Sequence, residues 1–171
     1  MPRLKTRRLA HDTSSGPRVL KIKVKTVLFV CTGNICRSPM AEELFRMEAS
    51  DLEGIVAQSA GISTEDGFPP SVNAVLAMLE LNRDISQHRS SQMNEKKVCQ
   101  ADLIFTMTSA HLQIAQGRYP AAASKVLMLK PGCDIFDPYG ADLDIYRRCR
   151  DQIRESIRER LPVLIELLKK K

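Results

Sequence analysis

The sequence predicts a doubly wound α/β domain, with one four-stranded parallel sheet and helices on both faces. Three observations lead there. Short, solidly apolar runs such as Val27–Val30 and "DLIFTM" (Asp102–Met107) read as strands covered on both sides. Segments with helical apolar spacing follow such runs, so that strand and helix alternate about four times. Gly- and Pro-containing stretches punctuate the series, and no internal repeat interrupts it.

Each element has a local reason. Ile22 and Val24 alternate with Lys before the run Val27–Val30, which forms the first strand. Ser38-Pro39 opens a helix: Ser is a good N-cap, Pro suits a first turn, and Glu42 and Glu43 complement the helix N-terminus. Met40, Leu44 and Met47 give that helix its core stripe. Ile55–Ser59 is the second strand, and "GISTEDGFPP" (Gly61–Pro70) is a loop. Ser71 caps a helix carrying Val72, Val75, Leu76 and Leu79 at helical spacing. A short helix is expected near Gln92–Val98, before the strand at Asp102–Met107. Ser109 opens another helix that ends near Gly117, and Lys125–Leu129 is the fourth strand. "CDIFDPYG" (Cys133–Gly140) is a loop. The last helix starts near Ala141 with Ile145, Cys149, Ile153, Ile157 and Leu161 on one face. Pro162 is expected to kink or interrupt it, through a lost hydrogen bond and a steric clash.

Composition narrows the function classes. The 171 residues suffice for one domain with a real core. No apolar run approaches a membrane span, and the N-terminus lacks the apolar segment of a secretory signal. The net charge of +6 is concentrated in residues 1–25, which hold eight basic side chains and one acid. The remaining chain carries 18 basic and 19 acidic residues, so the basicity belongs to a tail and not to a nucleic-acid-binding face. Residues 1–24 are read as a flexible basic extension and residues 25–171 as the domain. An Arg-rich, acid-poor start also resembles an organelle transit peptide, and export by another route stays open. Five Cys at irregular spacing argue against a disulfide scaffold and for a reducing, cytoplasmic setting. Without a C-x2-C pair, and with scattered His, no metal or other cofactor is expected.

The chemistry concentrates in "VLFVCTGNICRSPMAEELF", Val27–Phe45. In a doubly wound fold the functional crevice lies at the carboxyl ends of the strands, and Cys31 falls at the end of the first. A loop that contains Gly33 and ends at a helix start can turn its backbone N–H groups inward as an anion cradle. Arg37 adds a planar fork matched to two phosphate oxygens. The field that attracts a phosphate also favours a thiolate, which makes Cys31 a nucleophile aimed at phosphorus. An alkoxide or phenoxide leaves badly unless protonated, so a carboxylic acid is required at the mouth. Asp137 is the candidate, with Asp134 a competitor and a plain turn-shaping role as the alternative.

"FVCTGNICRSPMAE" and the later "DPYG" closely resemble the signatures of the low-molecular-weight protein tyrosine phosphatases, a family that includes bacterial protein arginine phosphatases. "SAGIS" and "DISQHRS" extend the likeness over about residues 25–168. The resemblance implies Cys31 as nucleophile, Arg37 as phosphate clamp and Asp137 as general acid and base. Thr32, Gly33, Asn34, Ile35 and Cys36 complete the phosphate loop. Ser38 is implied to bond the Cys31 sulfur, and Asn34 to fix a strained loop with support from Ser59 and His88. Taken by itself Cys36 reads as a buried structural thiol. The resemblance instead makes it the partner that traps oxidised Cys31 as a disulfide. Cys99, Cys133 and Cys149 read as structural.

Substrates are expected to be phosphorylated proteins. Ile35, Tyr139 and Phe68 are the expected walls of a slot for a flat group. Ile35 stands where the arginine phosphatases typically have Thr, which favours phosphotyrosine. The single aromatic of "DPYG" and the "EDGFPPS" loop resemble the arginine-phosphatase branch and keep that alternative open. Thiol-dependent arsenate reduction needs two further Cys close together, which the spacing does not offer. A non-catalytic phosphoprotein-binding module would need neither the thiol nor the acid.

Overall fold

The computed structural model describes residues 25–169. Ile22, Val24 and the whole basic extension lie outside those residues. Four strands form one parallel sheet in the order β2-β1-β3-β4. They are β1 (Lys25–Cys31), β2 (Ile55–Gly61), β3 (Leu103–Thr106) and β4 (Val126–Met128). Five α-helices connect and cover them: α1 (Arg37–Glu48), α2 (Val72–Leu79), α3 (Glu95–Gln100), α4 (Ser109–Arg118) and α5 (Leu143–Lys169). A short 3-10 turn, Pro120–Lys125, leads into β4.

The apolar run in β1 is explained by two cores, one on each face of the sheet. Val27 and Phe29 pack with Met40, Leu44, Met78, Phe105, Ile153 and Ile157 on the α1, α2 and α5 side. Leu28 and Val30 pack with Ile104, Val98 and Ala115 on the α3 and α4 side. A strand whose alternate side chains enter different cores has no polar face left. Each such buried side chain contributes roughly 1.5–3 kcal/mol of transfer free energy. The register pairs Cys31 with Gly61, which sets the carboxyl ends of β1 and β2 side by side.

Several boundaries differ from expectation, for physical reasons. Helix α1 begins two residues earlier, with Cys36 and not Ser38 at the N-cap position, and Cys36 makes no side-chain cap bond. Ser38 does not cap, because its hydroxyl is engaged in the site described below. Thr108, not Ser109, caps α4 by accepting from the His111 N–H. Tyr146 replaces the expected Ile145 as the first fully buried residue of α5. The helix runs uninterrupted through Pro162. Pro162 and Arg158 are exposed, so the carbonyl deprived of its bond faces water and the helix continues. Cys149 is buried as expected of a structural thiol, whereas Cys99 and Cys133 are exposed. Among the described residues no helix is long and apolar enough to cross a membrane.

Candidate active site

The site lies where β1 gives way to α1. Cys31, Thr32, Gly33, Ile35, Cys36, Arg37, Asp137 and Tyr139 line one cavity of about 220 Å³. Its cradle is the turn from Thr32 to Cys36, which ends at the start of α1. The first N–H groups of a helix have no partner within it, so they add donors and positive potential facing the loop.

The Cys31 sulfur is buried and doubly hydrogen-bonded. The Asn34 backbone N–H donates to it at 3.3 Å, and the Ser38 hydroxyl lies 3.0 Å away. The direction of the second bond follows from its neighbours. The Asn34 side-chain amide donates to Ser38 Oγ at 2.8 Å and to Ser59 Oγ at 3.0 Å. The Ser91 N–H donates to Asn34 Oδ1, which fixes the orientation of the amide. Ser38 Oγ therefore accepts from Asn34, and its own proton has two acceptors in reach, the Cys31 sulfur at 3.0 Å and the Ala60 carbonyl oxygen at 3.4 Å, the sulfur being the nearer.

Asn34 pays a conformational cost to be there. Its φ of 52° is in the left-handed region that a side chain disfavours. Besides the three side-chain bonds, its carbonyl oxygen lies 2.9 Å from His88 Nε2. The Ser59 hydroxyl donates a hydrogen bond to Glu42 Oε2 at 2.5 Å, which anchors the chain of hydrogen bonds on α1. Close approach behind the loop also requires Gly61. A Cβ there would come within 2.7 Å of the Thr32 carbonyl oxygen, a backbone atom with little room to yield.

Arg37 is 4% exposed, a buried cation that needs compensation. It donates to the Ile135 carbonyl at 3.2 Å and pairs with Asp137 at 2.8 Å. Its Nε–H is buried with no acceptor among the described residues. That unsatisfied donor, on a residue that lines the cavity, suits an oxygen of a bound oxyanion. Asp137 comes from the loop before α5, its side chain about half exposed, and Oδ1 also accepts from the Tyr139 N–H. Asp134 is separated from this cavity: it accepts from the Ser109 N–H at 2.8 Å, at the start of α4.

The family of low molecular weight phosphotyrosine protein phosphatases is matched by residues 26–171. The chain belongs to this family. A probable low molecular weight protein-tyrosine-phosphatase, EpsP of Ralstonia nicotianae, is 40% identical over 136 residues, 78% of this chain and 92% of the relative. The protein-arginine-phosphatase of Geobacillus stearothermophilus is 38% identical over 140 residues, 79% of this chain and 92% of that one. Among solved structures, the YwlE arginine phosphatase of G. stearothermophilus superposes with a TM-score of 0.77 at 36% identity, covering 86% of this chain and 97% of its own. The low molecular weight protein tyrosine phosphatase of T. tengcongensis gives 0.76 at 38% identity, covering 83% and 98%.

Against this family background, most of the anticipated constellation converges. Cys31, Thr32, Gly33, Ile35, Cys36, Arg37, Asp137 and Tyr139 meet in the cavity, while Asn34, Ser38, Ser59 and His88 support the loop from behind. Phe68 is the departure: it is half exposed and does not line the cavity. Its N–H and carbonyl oxygen are instead tied to Ser90, through the hydroxyl and the backbone N–H respectively. Cys36 Sγ donates to Ser71 Oγ at 3.3 Å and lies 3.2 Å from the Tyr146 hydroxyl. Burial, the dominant influence, raises its pKa and keeps it a thiol.

Glu42, Ser91, Ile135, Tyr146 and His111 were not legible as site residues. Glu42 carried a faint signal, four residues after Ser38 and hence on the same face of α1. The others reach the site only through the fold.

Proposed function

We propose that this chain is a protein tyrosine phosphatase working through a phospho-cysteine intermediate, on phosphorylated proteins in the cytoplasm. The observation that carries the reading is the convergence of the Cys31 sulfur, the Arg37 guanidinium and the Asp137 carboxylate on one cavity. A binding module has no use for a nucleophile and an acid beside its anion site.

The phosphate enters the loop, takes the unsatisfied Arg37 Nε–H, and displaces the Asp137 carboxylate from the guanidinium edge. Cys31 attacks phosphorus in line with the leaving oxygen. Asp137, protonated for this step, gives its proton to that oxygen as the P–O bond breaks. The equatorial charge falls on Arg37 and the loop N–H groups. The ionised Asp137 then takes a proton from the water that attacks the phospho-cysteine. The Ser38 hydroxyl stabilises the departing thiolate, releasing inorganic phosphate. A solved YwlE arginine phosphatase mutant with a phosphorylated active-site serine supports group transfer onto the enzyme in a relative of 37% identity.

Phosphotyrosine is favoured by the lining. Ile35 and Tyr139 present apolar surface beside the anion site, and Ile35 offers no polar contact to a guanidino group. Protein arginine phosphatase is the second reading, favoured by the similarity to enzymes of that name. The five free cysteines support a reducing compartment. Rapid acid quench of wild type turning over a phosphotyrosine peptide tests the mechanism. A phosphoryl group on Cys31, absent in Cys31→Ser, is expected; turnover with phosphate recovered only on another residue or on none would overturn it.

A further inference from the structure

His111 lies 79 residues from the loop in sequence, on the first turn of α4, yet its Nε2 is 2.9 Å from Thr32 Oγ1. The ring is 7% exposed, and its other nitrogen, Nδ1, is buried with no partner among the described residues. Thr32 follows the nucleophile directly and lines the cavity.

The orphaned nitrogen settles which way the bond runs. If Nδ1 carried the proton, a buried N–H would lack an acceptor, the costlier kind of unsatisfied group. A bare Nδ1 lone pair costs less, and burial together with the positive charge of Arg37 keeps the ring neutral. The neutral ring then holds its proton on Nε2 and donates to Thr32 Oγ1. A threonine hydroxyl that accepts one bond keeps its own proton to donate elsewhere. Thr32 Oγ1 has no second partner within the protein among the described residues, and Thr32 is exposed and borders the cavity.

We propose that His111 is a positioning residue that turns the Thr32 hydroxyl proton into the anion cavity and so adds a side-chain donor to the phosphate cradle. The inference rests on the phosphate reading above. It assigns the Thr32 hydroxyl direct contact with a phosphoryl oxygen, and His111 action only through Thr32.

The experiment combines competitive inhibition by inorganic phosphate, kinetics on a phosphotyrosine peptide, and long-range nitrogen–proton NMR of the imidazole. Thr32→Val is expected to weaken phosphate binding about tenfold, as for loss of one hydrogen bond to an anion. His111→Ala is expected to match it, and the double variant to be no worse than either single one. His111→Gln, whose amide can still donate, should recover most of the loss. NMR of wild type should show a protonated Nε2 and a bare Nδ1. Losses that multiply in the double variant, unchanged phosphate affinity in His111→Ala, no recovery in His111→Gln, or a protonated Nδ1 would each overturn the proposal. Phosphate binding and the NMR arm need no turnover. An enzyme that binds phosphate through Thr32 but hydrolyses no phosphotyrosine would refute the proposed function and leave this inference standing.

Discussion

Arg37 and Asp137 are 2.8 Å apart, the clamp ion-paired to the acid. The two groups assigned to hold phosphate and to protonate its leaving group thus compete for each other. In the proposed mechanism a phosphate dianion takes the guanidinium edge that Asp137 occupies, which frees the carboxyl for the leaving oxygen.

That exchange makes Asp137→Asn informative. Loss of the acid should lower kcat about 10²- to 10⁴-fold for a phenolic ester with a poor leaving group. The effect should shrink for a nitrophenyl ester, which leaves without help. Inorganic phosphate should bind the variant several-fold more tightly, because a charged competitor for Arg37 is gone. Equal losses on both esters, or weaker phosphate binding, would count against the exchange.

The Asn34 network should matter to the chemistry more than its distance from the substrate suggests. Asn34→Ala removes the amide that orients Ser38 and supports the left-handed turn, leaving a φ of 52° without its three side-chain bonds. The expected outcome is a kcat reduced by about 10²-fold. His88→Ala, which loses a single bond to the Asn34 carbonyl, should show a milder loss. Steady-state kinetics with thermal denaturation as a control would decide whether the loss is catalytic or global.

How much of this was legible in the sequence depends on the distance over which each residue acts. Cys31, Gly33 and Arg37 sit in one loop between a strand and a helix, where local pattern is sufficient. Ser38 was recognised as important, first as a helix cap and then by resemblance as a partner of the thiol. Only the structure shows that the second use excludes the first, since its oxygen already accepts from Asn34. Phe68 looked like a slot wall because an aromatic in a Gly/Pro loop can fold inward; the Ser90 bonds hold that loop elsewhere. Pro162 looked like a break because propensity rules count the lost bond and not the water that replaces it. His111 and Tyr146 leave no mark in the sequence, and Glu42 only its helical spacing from Ser38, because their partners are brought to them by β1 and the helices.

Stability should depend on pH through His111. Burial first, then the charge of Arg37, pushes its pKa down to about 4 from the ordinary value of 6.5. As pH falls from 6.5 toward 4, the unfolded chain takes up a proton that the folded ring refuses. Stability is therefore complete above about 6.5, is lost progressively down to about 4, and changes no further from this group below that. At about 1.36 kcal/mol per pKa unit the loss is at most about 3 kcal/mol, and solvent screening of the ring makes it smaller. Chemical denaturation at pH 7 and pH 4.5 should show a smaller difference in His111→Gln than in wild type. An identical difference would remove His111 as the source.

Peroxide should inactivate the enzyme reversibly. Oxidation of Cys31 to the sulfenic acid lets Cys36, on the same cavity, attack that sulfur and expel water as the disulfide forms. Cys36 is a buried thiol with a raised pKa, so closure should be faster at higher pH. Cys36→Ser should recover poorly with reductant after prolonged peroxide. Recovery equal to wild type would exclude Cys36 as the trap.

The central claim is Cys31-dependent hydrolysis of a protein phosphoester with preference for phosphotyrosine. It is tested most directly by kcat/KM on matched phosphotyrosine and phosphoarginine peptides, in chelator, with Cys31→Ser as the blank. Faster phosphotyrosine turnover is expected, with none in the blank. Faster phosphoarginine turnover would contradict the role given to Ile35, and turnover of neither peptide would contradict the enzyme itself.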